Sequence, residues 1–195
     1  MTTALRARML RTARGLLAFC RDPRGAAVVE FAILLPLMLT LYIAGTEISN
    51  AIAIDRKVTI TARTVTDLAS RATSISTQDM SDILAASAAV IAPYLPANMT
   101  FTVSQIYIDN NGNATISGWS CSYQGSPHTL GQSVTLPNQL ITNNSYLIWG
   151  QAQYNYTPPI GYVITGTLIL KDQIYMVPRM SSSVTGPATC PTTFT

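Results

Sequence analysis

The residues of this chain whose types and spacing could do chemistry gather at one junction. Arg24-Gly25-Ala26-Ala27-Val28-Val29-Glu30-Phe31 joins a basic stretch to an apolar run, with a carboxylate at the fifth place after the glycine. A glycine leaves the backbone unhindered and weakens a helix, so the chain can depart from helical geometry at Gly25, just ahead of the apolar run. Glu30 is the second half of the pattern. An ionisable group at membrane depth costs about 2.5–3.5 kcal/mol on insertion scales and marks function by default. The Gly-x-x-x-x-Glu spacing alone is commonplace; its place at the boundary between a basic leader and an apolar span gives it force.

The rest of the sequence offers little for catalysis. The single histidine, His128, lies in the loop string Gly125-Ser126-Pro127-His128-Thr129. A Ser/His/Asp enzyme would have to use it. No Cys or His cluster has metal-ligand spacing, and no Gly-rich phosphate loop follows a strand. Asp79 and Asp82 suit the charged first turn of a helix better than an acid/base pair. The chain is therefore expected to be no enzyme, with no catalytic residues, no cofactor and no metal.

The elements that must position the junction follow from charge and hydropathy. Residues 1–25 carry six arginines (Arg6, Arg8, Arg11, Arg14, Arg21 and Arg24) against Asp22, a net +5. From Ala26 onward six basic side chains face eight acidic ones, about −2, so nucleic-acid binding has no electrostatic footing there. Residues 26–46 hold one charge, Glu30. As a helix these 21 residues rise about 31 Å, matching a hydrocarbon core of about 30 Å. Pro36 falls inside the run and is tolerated in a membrane span, where neighbouring groups re-satisfy the freed backbone. Arginines before the span and none for nine residues after it place the N-terminus in the cytoplasm. A competing pattern is Ala51-Ile52-Ala53, which has the A-x-A form of a secretory cleavage site.

The string RDPRGAAVVEFAILLPLMLTL resembles the N-terminal signature of the TadE-like family, the pseudopilin-like minor pilins of Flp/Tad pilus assembly. The resemblance implies cleavage between Gly25 and Ala26 by a membrane prepilin peptidase. It also implies that Glu30 is an assembly carboxylate facing the terminal amine of an adjacent subunit. LASRATSIS and the later Met176-Val177-Pro178-Arg179 also look like TadE-family proteins, with no role that mechanism assigns.

Beyond the span, Ile48, Ala51, Ile52, Asp55, Val58, Ala62, Val65, Leu68, Ala69 and Ala72 recur at three- and four-residue steps, so the helix is expected to continue as an amphipathic one. Its buried side is alanine- and threonine-rich, suited to close approach of a sheet or another subunit. Ser76-Thr77-Gln78-Asp79 reads as a capped start of a second helix ending before Pro93 and Pro96. From Met99 the period becomes two, and Asp109-Asn110-Asn111-Gly112-Asn113 is turn chemistry between two strands. Residues 146–156 and 162–176 are further strands, and 125–144 reads as a long connecting loop. The fold class expected is α+β: a long N-terminal membrane-spanning helix continuing into an exported domain, with a second helix on an antiparallel sheet of four or five strands.

Cys20 falls in the reducing cytoplasm, which leaves Cys121 and Cys190 as the exported pair, expected to form a disulfide. The organisation expected is a leader over 1–25, a membrane helix over 26–47 and a periplasmic domain over 48–195 of a bacterial inner-membrane protein. Expected partners are the inner membrane, a prepilin peptidase and other Tad pilus assembly proteins or pilin subunits, with no nucleic acid and no small-molecule substrate. Two alternatives stand beside this reading: an uncleaved, signal-anchored periplasmic binding module, and a secreted enzyme released after Ala53.

Overall fold

The first helix, α1, runs over Pro23–Ser70 and includes Pro36 without interruption. It opens on a proline, whose fixed φ and missing N–H suit the first helical turn. Gly25 lies inside the first turn of this helix. The structure, a computed structural model, describes residues 23–158, 161 and 166–192. Cys20, nearly all of the basic leader and residues 162–165 of the last expected strand lie outside them.

The chain divides into two units, one ending at Thr46 and one beginning at Glu47. In the first, residues 26–39 are exposed along their whole length, as an apolar helix with no protein neighbour must be. Thr40 and Thr46 turn their hydroxyls onto the carbonyls of Leu37 and Ile43, both at 2.8 Å, so neither carries an unsatisfied donor.

In the second unit, residues 47–70 of α1 and helix α2 (Thr77–Ile91) cover one face of a five-stranded sheet. The strands are β1 (Met99–Ile108), β2 (Ala114–Tyr123), β3 (Ser133–Val134), β4 (Ser145–Tyr156) and β5 (Leu168–Met176). Their order is β3-β2-β1-β4-β5, and all pairings are antiparallel. The class is α+β. The connection over 125–144 is not plain loop, since it contributes β3 as an edge strand and buries Leu136.

The buried stripe of α1 is Ala51, Ile54, Val58, Ala62, Val65 and Ala69, with polar Glu47, Thr61, Thr66 and Ser70 beside it. Ile48, Ile52 and Leu68, expected on the buried side, are about half exposed, and Asp55 is exposed. The stripe is offset because four of its members are polar, which hides it from hydropathy. Small residues let the helix come close to the sheet. A Cβ at Gly150 of β4 would fall 1.7 Å from Thr66 Oγ1, so the helix rests where the strand has no side chain.

Helix α2 starts at a full capping box. The Ser76 hydroxyl accepts from the Asp79 N–H at 3.1 Å, and the Asp79 carboxylate accepts from the Ser76 N–H at 3.0 Å. Lys57 of α1 donates to the Val90 carbonyl at 3.2 Å, placing a cation at the C-terminal end of α2.

Gly150→Ala is expected to destabilise the domain by about 1–3 kcal/mol through overpacking, and Thr66→Ala in the same chain should recover much of it. Denaturant midpoints of the four chains of this cycle would measure the coupling. A second expectation concerns acid. Hydrogen bonds from the Ser76 hydroxyl and then its N–H hold the Asp79 carboxyl below the usual range. Its contribution is therefore present above the ordinary carboxylate pKa and lost as pH falls through the lower folded value. Asp79→Asn should flatten the acid limb of a stability-against-pH curve while leaving the limb above neutrality unchanged.

Candidate functional site

Two places concentrate the residues that sequence singles out: the head of α1, and the seam where the C-terminal segment crosses the domain. At the head, Gly25 and Ala26 lie in the first turn and Glu30 one turn further, exposed among exposed Val28, Val29 and Phe31. Ala26 and Glu30 are four residues apart, so they share a helix face with about 6 Å of rise between them. A helix beginning at Ala26 would carry Glu30 just beyond its first turn, near the end where the dipole favours negative charge. A peptidase acting on Gly25–Ala26 has to unwind only a terminal turn, whose first N–H groups have no intrahelical partner in any case.

At the boundary of the two units, Tyr42 is 71% exposed and Glu47, five residues on, is 2% exposed. Glu47 opens the buried stripe of α1. Its charge reaches Tyr156 of β4, whose phenol is pushed up first by burial and then by Glu47. The Tyr156 hydroxyl is buried with no hydrogen-bond partner among the described residues.

The seam is built around a bulge. Ser104 pairs with Ser120 and Ile106 with Ile116, so three residues of β2 stand opposite the single Gln105 of β1. Gly118, at φ +81°, makes the turn, and a Cβ there would meet Gln105 Nε2 at 2.9 Å. The bulge aims Gln105 and Trp119 at one residue of the tail. Val184 N–H donates to Gln105 Oε1 at 2.8 Å, and the Val184 carbonyl accepts from Trp119 Nε1 at 2.9 Å. Gly186 lies on the indole, where a Cβ would be 2.0 Å from the ring.

The same segment pairs with the turn after α1: Thr185 N–H donates to the Thr73 carbonyl at 3.0 Å, and Ile75 N–H to the Thr185 carbonyl at 2.8 Å. Thr77 Oγ1 donates to the Thr189 carbonyl, and Cys121 is disulfide-bonded to Cys190 with their Cα atoms 5.4 Å apart. Arg179 N–H caps the Ser70 carbonyl at 2.8 Å, while its guanidinium pairs with Asp67 at 2.8 Å. Arg71 pairs with the same carboxylate. This gives Arg179 of the Met176-Val177-Pro178-Arg179 string a physical role at the end of α1. Sequence reasoning missed Gln105, Trp119 and Gly186 as a unit, since their partners are backbone groups some 65 to 79 residues away.

His128 is stacked on Trp149 with ring centroids 4.8 Å apart and its Nε2 paired with Gln151 Oε1. Its backbone N–H donates to Ser120 Oγ at 2.9 Å, and among the described residues no aspartate is hydrogen-bonded to its ring. Among the described residues, no three His, Cys, Asp or Glu side chains come together as a metal site.

These elements define a class: a protein with, among the described residues, one helix long and apolar enough to cross a membrane, Gly25–Ser70, and an α+β domain. The model of the TadE-like protein family matches residues 25–67, from the glycine of the junction through the span and into the buried stripe. That is the family the junction and span resemble. The chain has no significant match among curated proteins or among solved structures.

Reduction of Cys121–Cys190, or Cys190→Ser, should lower stability by about 2–5 kcal/mol. Limited proteolysis should then cut between residues 177 and 192 first. Trp119→Phe keeps an aromatic ring, smaller than the indole, and removes the N–H to Val184. It should expose the same stretch to protease with a smaller loss in the denaturant midpoint, about 1–3 kcal/mol for the abandoned buried carbonyl.

Proposed function

We propose that this chain is a pseudopilin-like component of Flp/Tad pilus assembly, acting in pilus biogenesis, adhesion and surface attachment. It resides in a bacterial inner membrane, with the leader over 1–25 in the cytoplasm, the span over 26–47 and the domain over 48–195 in the periplasm. A prepilin peptidase cuts between Gly25 and Ala26. The observation that carries this reading is the TadE-like match, which begins at the glycine of the junction and covers the whole span.

The reading makes physical sense of the junction. Cleavage removes six arginines, and with them the charge that pins the N-terminus to the cytoplasmic face. It also leaves an amine on Ala26 that pairs with Glu30, on the same helix face or on a neighbouring subunit. Pairing offsets the cost of a carboxylate in lipid and sets the register of helix against helix. The exposed Val28, Phe31, Ile33 and Leu37 then face lipid or neighbouring helices.

A second reading has an observation of its own. Gly25 is held in a helical turn begun by Pro23, which favours an uncleaved anchor presenting its domain as a binding module. A secreted enzyme released after Ala53 has less support, because that cut would remove Glu47 and Ala51 from a packed face and expose Ile54 at a new terminus.

Mass spectrometry of the chain purified from membranes of a host with an active prepilin peptidase decides between them. Ala26 is expected as the mature N-terminus, and Gly25→Leu should leave the leader in place. Glu30→Ala should still be cut but should co-purify with pilus subunits at least tenfold less. An N-terminus that still carries the leader in the unaltered chain would sink the proposal in favour of the anchored module; Ile54 would establish secretion.

A further inference from the structure

The face of the sheet turned away from the helices is divided in two. One half is roofed by the connection between β2 and β4, whose Leu136, Val134 and Leu140 pack with Ile106, Ile108, Ile116 and Leu147. The other half is open and holds a groove of about 340 Å³, lined by Thr100, Thr102, Gln151, Gln153, Lys171 and Gln173. Polar side chains on a solvated sheet face are ordinary. The unusual feature is how the amides are held.

Trp149, buried beside the groove, stacks in parallel with His128 and with Tyr175, at centroid distances of 4.8 and 5.8 Å. Its indole N–H can only donate, and it takes the Gln173 oxygen at 3.2 Å. His128 Nε2 takes the Gln151 oxygen. Both amides therefore have their oxygens engaged and their NH2 groups left over. Gln153 is held the other way, its NH2 donating to Asn155 at 3.3 Å, which leaves its oxygen to accept. Gln151 stands directly opposite Gln173 and Gln153 opposite Lys171 across β4 and β5, so neighbouring side chains begin about 5 Å apart. The groove thus presents a fixed set of donors and acceptors, oriented from the sheet side by ring N–H groups and side-chain amides.

We propose that this groove binds a neutral carbohydrate chain. Sugar hydroxyls both donate and accept, which matches amides of opposite orientation beside the hydroxyl of Thr100. Lys171 is offset by its neighbour Asp172, so the lining has no net charge to select an anion. It also has no apolar pocket to hold the side chains of a peptide. Tyr175, the next residue on this face after Gln173, adds a half-buried ring of the kind that receives the C–H face of a sugar. The volume lies at the lower end of the small-ligand range of about 300–1,000 Å³, room for one or two sugar rings of a longer chain. The groove stands on these contacts alone and does not depend on the pilus reading.

The test uses the full chain in a zwitterionic detergent, since glycosidic detergents would compete. Immobilised hexasaccharides of β-1,4-glucose, α-1,4-glucose and β-1,4-N-acetylglucosamine serve as probes, with a hexapeptide of serine and asparagine beside them. At least one hexasaccharide should be retained and the peptide should not. Gln151→Ala with Gln173→Ala should weaken retention at least tenfold, and Gln153→Trp, which fills the groove, should abolish it, each with an unchanged thermal midpoint. If either substitution disturbs folding, Lys171→Ala at an exposed position replaces it and should weaken retention at least threefold. Retention of none of the three sugars, retention of the peptide instead, or sugar retention indifferent to these substitutions would overturn the proposal.

Discussion

The close approach of α1 to β4 is the constraint on which the rest of the domain hangs. Thr66 can sit against the strand only because residue 150 is glycine, and Ala62 and Ala69 keep the helix low on either side. With the helix that near, Val58, Val65 and Ile54 reach the layer of Phe101, Val103, Ile148 and Tyr154. Larger residues along the stripe would lift the helix and open the space that Met80 and Leu84 of α2 now share with it. A small-residue face suits a helix whose upstream half is bulky and apolar, because the two patterns fall on different stretches and do not compete for the same side chains.

Around that packed layer, the C-terminal segment supplies what the helices leave undone. The end of α1 at Ser70 is closed by Arg179, and the turn over 71–76 has its N–H and carbonyl groups answered by Thr185. Asp67 holds Arg71 and Arg179 together at a half-exposed position, where ion pairs contribute little on their own, so the capping bond and the disulfide carry more of the tie. The bulge in β2 is the price of aiming Trp119 and Gln105 at Val184.

Much of this was legible in the residues. The span and junction could be read because charge and hydropathy change abruptly at Gly25. Helix α2 could be read from Ser76 and Asp79, since a capping box is a local device, and the β1–β2 hairpin from the turn at Asp109. What could not be read depends on distant partners. The buried face of α1 was placed wrongly at Ile48, Ile52 and Leu68 because Glu47, Thr61 and Thr66 occupy core positions that hydropathy assigns to water. Strand β3 is two residues long and exists only as an edge to β2, so no period announces it. The amides on the open face are spaced two apart like any solvated strand, and the rings that orient Gln151 and Gln173, those of His128 and Trp149, are brought in by tertiary structure.

The position of the tail in the chain has a consequence for timing. Val184, Gly186 and Cys190 come after every strand and helix, yet they cover the indole of Trp119 and bond to the centre of β2. A chain synthesised from its N-terminus delivers them last. Until they arrive, Trp119 and the turn after α1 stand open, and any interrupted chain keeps that opening. The domain thereby distinguishes finished copies from unfinished ones, because a protease meets an open turn and an uncovered indole only in the latter.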